Sequence, residues 1–329
     1  MRVLIVSDRL PPQTRSGGGR VLEEMAARLA STHEVELVRA APSSGARGRA
    51  ALEISIRATA RRFRPDVAVS LGPSLAGLSC PVLEMGAPAP ESAPRNPLSS
   101  LRGRVRASRQ RTATVLVPTS NSGALLAPDR PFVAVPVGVD TQQFSPAPPP
   151  PSHPSRVVFV GRLTPSRGAH IALESFAGLP GWAQDSWHLD IVGAATDSNY
   201  LGGLRRKAKG LPVTLHTDVP DVVPYFRRAR LAVLPQTSED GWARSILEAM
   251  ACGLPVVSST GGVLSEITGG AARLTPAGNL KAVGDALRDL LRSEERRSEL
   301  GVRAREHVES HHAWEVVLPR WEEALASSR

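Results

Sequence analysis

Short runs rich in β-branched residues alternate with longer stretches of helical periodicity along almost the whole chain, and that alternation admits few folds. Strands separated by helices pair most readily in parallel, with the helices laid over the faces of the sheet. The fold class is therefore α/β. In the first half, strands are expected at 3–7, 35–39, 66–71, 82–85, 115–118 and 132–137. Between the first two, Val21, Leu22, Met25, Ala26 and Leu29 form an apolar stripe opposite Glu23, Glu24 and Arg28, the pattern of an amphipathic helix.

The alternation stops once. The stretch Ser-Pro-Ala-Pro-Pro-Pro-Pro-Ser-His-Pro at 145–154 has no periodicity, and its prolines cannot donate to a sheet ladder. It reads as an extended linker, 145–155, after a first domain of 1–144. The pattern then restarts, with strands at 156–160, 189–192, 213–216, 231–235 and 255–258. Helices are expected at 169–177, through Glu248, and near 279–292, 293–310 and 314–326. A second domain spans 156–312, followed by a last helix within 313–329. A chain of 329 residues, 41% of them apolar, suits two cores of roughly 150 residues each.

Composition removes several function classes. No segment approaches the roughly 20 apolar residues of a membrane-spanning helix, and Asp8 and Arg9 interrupt the apolar start, so a cytoplasmic protein is expected. Cys80 and Cys252 lie far apart without zinc-type spacing, and both read as buried, reduced thiols. The formal charge of +9 is nearly all arginine, since lysine occurs only at 207, 209 and 281. Arg95, Arg102, Arg104, Arg106, Arg109 and Arg111 cluster, and Arg57, Arg61, Arg62 and Arg64 end an earlier helical stretch. These are either solvated basic faces or a surface for a phosphate-bearing acceptor or an anionic membrane at its inner face. Aromatics make up 4% and do not interleave with the arginines, so a nucleic-acid partner is not expected.

Three features carry chemistry. Asp240 and Glu248 stand eight apart, with Gly241 between a strand and a helix containing Ile246-Leu-Glu-Ala-Met-Ala. Glu248 is expected about one turn into that helix, whose first free amides suit a diphosphate. A carboxylate there can accept two hydrogen bonds from a ribose diol, while Asp240 reaches a sugar hydroxyl. For an isolated pair the plainer reading is a helix cap and a surface turn. Second, Val-Phe-Val-Gly-Arg-Leu-Thr-Pro-Ser-Arg-Gly at 158–168 sends Arg162 and Arg167 from the carboxyl end of a strand, where α/β sheets bind ligands. Each guanidinium can make charge-assisted bonds to phosphate of roughly 1.5–3 kcal/mol. Paired arginines can stand in for a metal at a departing diphosphate, and no Asp-x-Asp pair is present to hold one. Third, Gly17, Gly18 and Gly19 precede the first helix without dinucleotide or Walker spacing. A flexible loop accounts for them equally well.

Together these features resemble the group 1 glycosyltransferases of the GT-B architecture, the large retaining family that includes sucrose synthases and bacterial mannosyltransferases. The resemblance rests most on Val-Gly-Arg-Leu-(x4)-Gly, Ala-Arg-Leu-Ala-Val-Leu-Pro and Ile-Leu-Glu-Ala-Met-Ala-Cys-Gly-Leu-Pro-Val-Val between Arg156 and Glu266. Val-Pro-Val-Gly-Val-Asp-Thr-Gln-Gln-Phe-Ser-Pro at 135–146 is similar to the family's exit from the first domain. It implies two Rossmann-like domains facing across a cleft, the first on the acceptor side and the second binding the donor. The last helix would return to the first domain.

The resemblance also implies site roles. Arg162 and Arg167 would hold the donor diphosphate, Arg167 standing where relatives more often carry lysine. Glu248 would bind the ribose, and Asp240 the sugar. The amides of Gly241, Trp242, Ala243, Arg244 and Ser245 would serve sugar and β-phosphate, with Gly161 and Gly193 completing the donor site. Gly17 and Gly18 would approach the donor phosphates. Catalysis would fall to Arg162, Arg167 and Asp240, with no cofactor and no metal. The implied reaction moves a sugar, from a UDP-sugar first and GDP-mannose next, to a hydroxyl of a small-molecule or lipid-linked acceptor.

Two departures stand out. Asp240 is one methylene shorter than the usual glutamate. Met85, beside Glu84, occupies a strand end where many relatives carry histidine near the donor sugar, and no histidine here is assigned to catalysis. His33 and His216 read as structural. A sugar-nucleotide epimerase of the same architecture, or a nucleotide-sugar-binding module with impaired turnover, are the alternatives.

Overall fold

Parallel pairing accounts for every sheet strand among the described residues of the computed structural model, which are 1–7, 17–39, 46–71, 75, 78–85, 114–117, 131–147, 154–237, 242–261 and 263–328. The arginine cluster 95–111, the loop 8–16, Asp240, Gly241 and most of the proline-rich stretch lie outside them. Contacts divide the chain into two units. Met1–Gly138, Asp240–Trp242 and Val317–Arg329 belong to the first, and Val139–Glu239 and Ala243–Val316 to the second.

The first unit contains β1 (Arg2–Ser7), α1 (Gly17–Leu29), β2 (Glu34–Arg39), α2 (Ala46–Phe63), β3 (Val67–Leu71), β4 (Val82–Met85), β5 (Thr114–Val117) and β6 (Phe132–Ala134). Its sheet runs β2-β1-β3-β4-β5-β6, with Val3 opposite both Val35 and Val67. Val3 to Val6 are fully buried, as a strand covered on both faces requires. On one face Leu52 and Ile56 of α2 pack with Leu4, Val6, Val38 and Ala68. Val21, Leu22, Met25 and Leu29 of α1 are wholly buried, so the apolar stripe read from sequence is the packed one.

The second unit begins at Val139, ahead of the proline-rich stretch. Phe144 is buried edge-on to Phe226 at 6.2 Å, and Arg305 donates to the carbonyls of Thr141, Phe144 and Ala251. Those bonds tie 139–147 to the unit that follows. Its elements are β7 (Ser155–Val160), α3 (Ala169–Ala177), α4 (Gly181–Ser186), β8 (Trp187–Gly193), α5 (Ser198–Ala208), β9 (Val213–Thr217), α6 (Val223–Arg228) and β10 (Leu231–Leu234). Then come α7 (Arg244–Ala251), β11 (Val256–Ser259), α8 (Leu264–Thr268), β12 (Arg273–Thr275), α9 (Leu280–Arg292) and α10 (Glu294–His311); a last helix, α11 (Trp314–Ser327), belongs from Val317 onward to the first unit. Side-chain caps mark three helix starts: Asp197 accepts from Asn199 and Tyr200, Asn279 from Ala282, and Ser293 from Arg296.

The second sheet runs β12-β11-β10-β7-β8-β9. The chain lays β8 and β9 to one side of β7, then crosses over and lays β10, β11 and β12 to the other. The order reverses between β7 and β10, the kind of switch point where open α/β sheets bind ligands at the carboxyl ends of their strands. The first sheet has its reversal between β1 and β3. In α11, Trp321 is fully buried and its Nε1–H donates to the carbonyl of Pro136, also in the first unit, at 3.2 Å. Among the described residues no helix is long and apolar enough to cross a membrane.

Candidate functional site

The switch point of the second sheet is built from the turn leaving β7 and the helix following β10. After Gly161 and the exposed Arg162, Pro165 starts a single 3-10 turn, Pro165–Arg167, for which its fixed φ is suited. Gly168 closes that turn at φ +77°, donating its N–H to the Pro165 carbonyl at 3.0 Å. A Cβ there would stand 2.1 Å from the Pro235 carbonyl oxygen, so a glycine is what lets the turn lie against the end of β10. Thr237 N–H donates to the Ser166 carbonyl at 2.9 Å. Arg167 Nη1 donates to Gln236 Oε1, also at 2.9 Å, and Gln236 is buried. The two strands flanking the reversal are thus joined where they end. Gln236 had no place in the sequence reading, although a polar residue just past an apolar strand was the available signal.

Gly193 ends β8 beside Gly161. A Cβ on it would fall 1.7 Å from the Gly161 carbonyl oxygen, and Gly161 N–H donates to Val192 O at 3.0 Å. What this glycine does in the structure is let two strand ends approach.

On the other side of the reversal, Trp242 and Ala243 are buried, and Ala243 takes a left-handed conformation at φ +33°, ψ +29° immediately before α7. A residue with a Cβ holds that conformation at a cost of roughly 1–2 kcal/mol. From there Ile246, Leu247, Ala249 and Met250 turn into the core. Glu248 is the fifth residue of α7, about one turn into the helix, as its spacing suggested. It is 3% exposed. Arg244 Nε donates to Glu248 Oε1 at 2.7 Å, four residues away on the same helix and equally buried. Ser245 is half-buried between them in sequence. The structure therefore brings Arg162, Arg167, Gly161 and Gly193 to the ends of β7 and β8, and Ala243 to Glu248 to the region after β10.

In the first unit, Gly17 and Gly18 open α1, the helix that follows β1 at the other reversal. Met85 ends β4 and is buried, with Glu84 half-buried beside it. His33 approaches Glu322, and His216 bonds Asp190, as structural histidines do. Cys252 is buried, and desolvation, seconded by Glu248, pushes its thiol up to about 12. Cys80 is only half-buried, a correction to its expected burial, and desolvation again raises it. Among the described residues no three His, Cys, Asp or Glu side chains converge as a metal site. What the site offers chemically is two guanidiniums and a buried carboxylate at the strand ends of one sheet.

The family described as Glycosyl transferases group 1 matches residues 154–293, the region that holds β7 through α9. A GDP-mannose-dependent monoacylated alpha-(1-6)-phosphatidylinositol monomannoside mannosyltransferase of Corynebacterium glutamicum is 25% identical over 218 residues, 60% of this chain and 56% of its own. The chain spans about half the length of the curated relatives it matches. A sucrose-phosphate synthase from Thermosynechococcus elongatus superposes with a TM-score of 0.83 at 18% identity, covering 99% of this chain and 98% of that one. Anabaena HepE, solved in complex with UDP-glucose, gives 0.78 at 17% identity, covering 99% and 100%. These likenesses show the fold, two parallel α/β units of the GT-B class.

Proposed function

We propose, for a chain that belongs to the group 1 glycosyl transferases, that it moves a sugar from a nucleoside-diphosphate sugar to a hydroxyl of a small-molecule or lipid-linked acceptor. The observation that carries this reading is the switch point of the second sheet. There the cations leaving β7 and the buried Glu248 of the helix after β10 flank the same reversal of strand order. Arg162 and Arg167 hold the diphosphate. Arg167 enters that role already oriented by Gln236, which lowers the entropy of ordering its long side chain.

Glu248 accepts the ribose hydroxyls, its Oε1 shared with Arg244. The amides of Trp242 to Ser245, at the start of α7, serve the β-phosphate and sugar, and Asp240, outside the described residues, meets the sugar. As the bond from C1 to the β-phosphate oxygen breaks, the acceptor oxygen attacks the same face and its proton passes to the leaving phosphate. The two guanidiniums stabilise the charge that accumulates on that phosphate, without a metal ion or cofactor. A UDP-sugar is the first choice of donor, supported by the UDP-glucose bound to the HepE neighbour. GDP-mannose, named in the Corynebacterium relative, is the second.

Acceptor-dependent release of nucleoside diphosphate tests the reaction. Release without acceptor as a sugar epimer forms would indicate the epimerase alternative, and tight donor binding with neither product would indicate a binding module. Glu248→Ala and Arg162→Ala should each weaken donor use by about tenfold or more, equivalent to roughly 1.4 kcal/mol. Full activity in both would remove the site. A peripheral role at an anionic membrane, assigned to the arginines at 95–111, requires sedimentation with anionic liposomes that falls as salt rises. Salt-independent or absent sedimentation would leave that cluster a solvated face.

A further inference from the structure

Arg244 stands at a helix position that disfavours a cation. It opens α7, so its charge faces the positive end of the helix dipole, and its order relative to Glu248 is the reverse of the favoured one, with the carboxylate nearer the amino end. Both side chains are 4% exposed, so the pair bears the desolvation of two charges. The residue before it, Ala243, is held left-handed without being a glycine. An unfavourable conformer, an unfavourable dipole and a buried charge pair fall on consecutive residues next to the carboxylate of the candidate site. Such local violations concentrate where a site is being oriented.

We infer that Arg244 is a positioning residue for Glu248: its Nε–H fixes Oε1 and thereby aims the carboxylate at the diol of the nucleotide. This rests on the reading of Glu248 as the ribose ligand. A glutamate has three side-chain torsions, and a carboxylate that must accept two hydroxyls at once gains from having them set beforehand. The bond from Arg244 Nε to Glu248 Oε1, at 2.7 Å, fixes one oxygen of the carboxylate. Arg244 acts through Glu248 and is not assigned a contact with the nucleotide.

The test is a double-mutant cycle on binding of UDP and of GDP to the full chain, read by calorimetric titration. Arg244→Leu should weaken the better-bound nucleotide by about tenfold, and Arg244→Lys, which can still reach Glu248 with a cation, should recover most of that loss. In the Glu248→Gln background, Arg244→Leu should change affinity by less than about twofold, because the carboxylate it positions is gone. An equal loss in both backgrounds would overturn the inference, since it would mean that Arg244 meets the nucleotide itself. Wild-type affinity in Arg244→Leu would overturn it too. Should Arg244→Leu fail to fold with Glu248 buried and unpaired, Arg244→Lys and the double variant, which buries no lone charge, still decide. If Glu248→Gln alone binds as tightly as wild type, the ribose reading itself fails, an outcome the cycle separates from failure of the positioning role.

Discussion

Asp190 and Glu248 are both buried carboxylates of the second unit, and both are paired with arginine, yet their surroundings differ in kind. Asp190, in the middle of β8, draws its partners from elsewhere in the fold. Arg156 of β7 lies 3.6 Å away, His216 of β9 at 2.8 Å and Arg228 of α6 at 3.1 Å. Its neighbour His188 is held low by burial first and then by Arg156. Glu248 takes its close ion pair from its own helix, beside a left-handed alanine and at the carboxyl ends of the strands. A carboxylate that ties three elements together serves the fold. Glu248, paired with an arginine of its own helix at the switch point, is the one proposed to meet a ligand.

Breaking the first carboxylate should therefore show in stability. Asp190→Ala should lower the unfolding free energy by about 2–4 kcal/mol, the partners' partial exposure softening the full cost of a broken buried pair. Denaturant titration checks this, and a loss near zero would mean that the arginines are as well satisfied by water. Gly193→Ala, which drives a Cβ into the Gly161 carbonyl, should cost roughly 1–3 kcal/mol and disturb the turn that carries Arg162. An unchanged melting curve would show that the strand ends separate freely. On the other side of the comparison, Ala243→Gly should gain about 1 kcal/mol by relieving the left-handed residue, leaving the fold intact. A loss of stability there would show that the strain is not real.

The contrast also marks how far the sequence reaches. Strand alternation gave nearly every long element, because buried parallel strands such as Val157 to Val160 are continuous apolar runs. It passed over α5, whose interior Gly202 and Gly203 weaken the helical signal. It likewise passed over α6, with Pro224 in its first turn, and β12, three residues long. The motif residues Arg162, Arg167 and Glu248 could be read because they follow strands at the ends that bind ligands. Gln236, the Arg244 side chain and the conformation of Ala243 could not. A hydrogen bond spanning 69 residues has no local pattern, and a left-handed alanine carries none of the sign that a glycine would give.

The most direct test of the division is nucleotide binding measured side by side in Asp190→Ala and Glu248→Ala, at a temperature where both remain folded. UDP or GDP should bind Asp190→Ala as it binds the wild type and bind Glu248→Ala at least about tenfold more weakly. Equal binding to both, or a loss confined to Asp190→Ala, would contradict it.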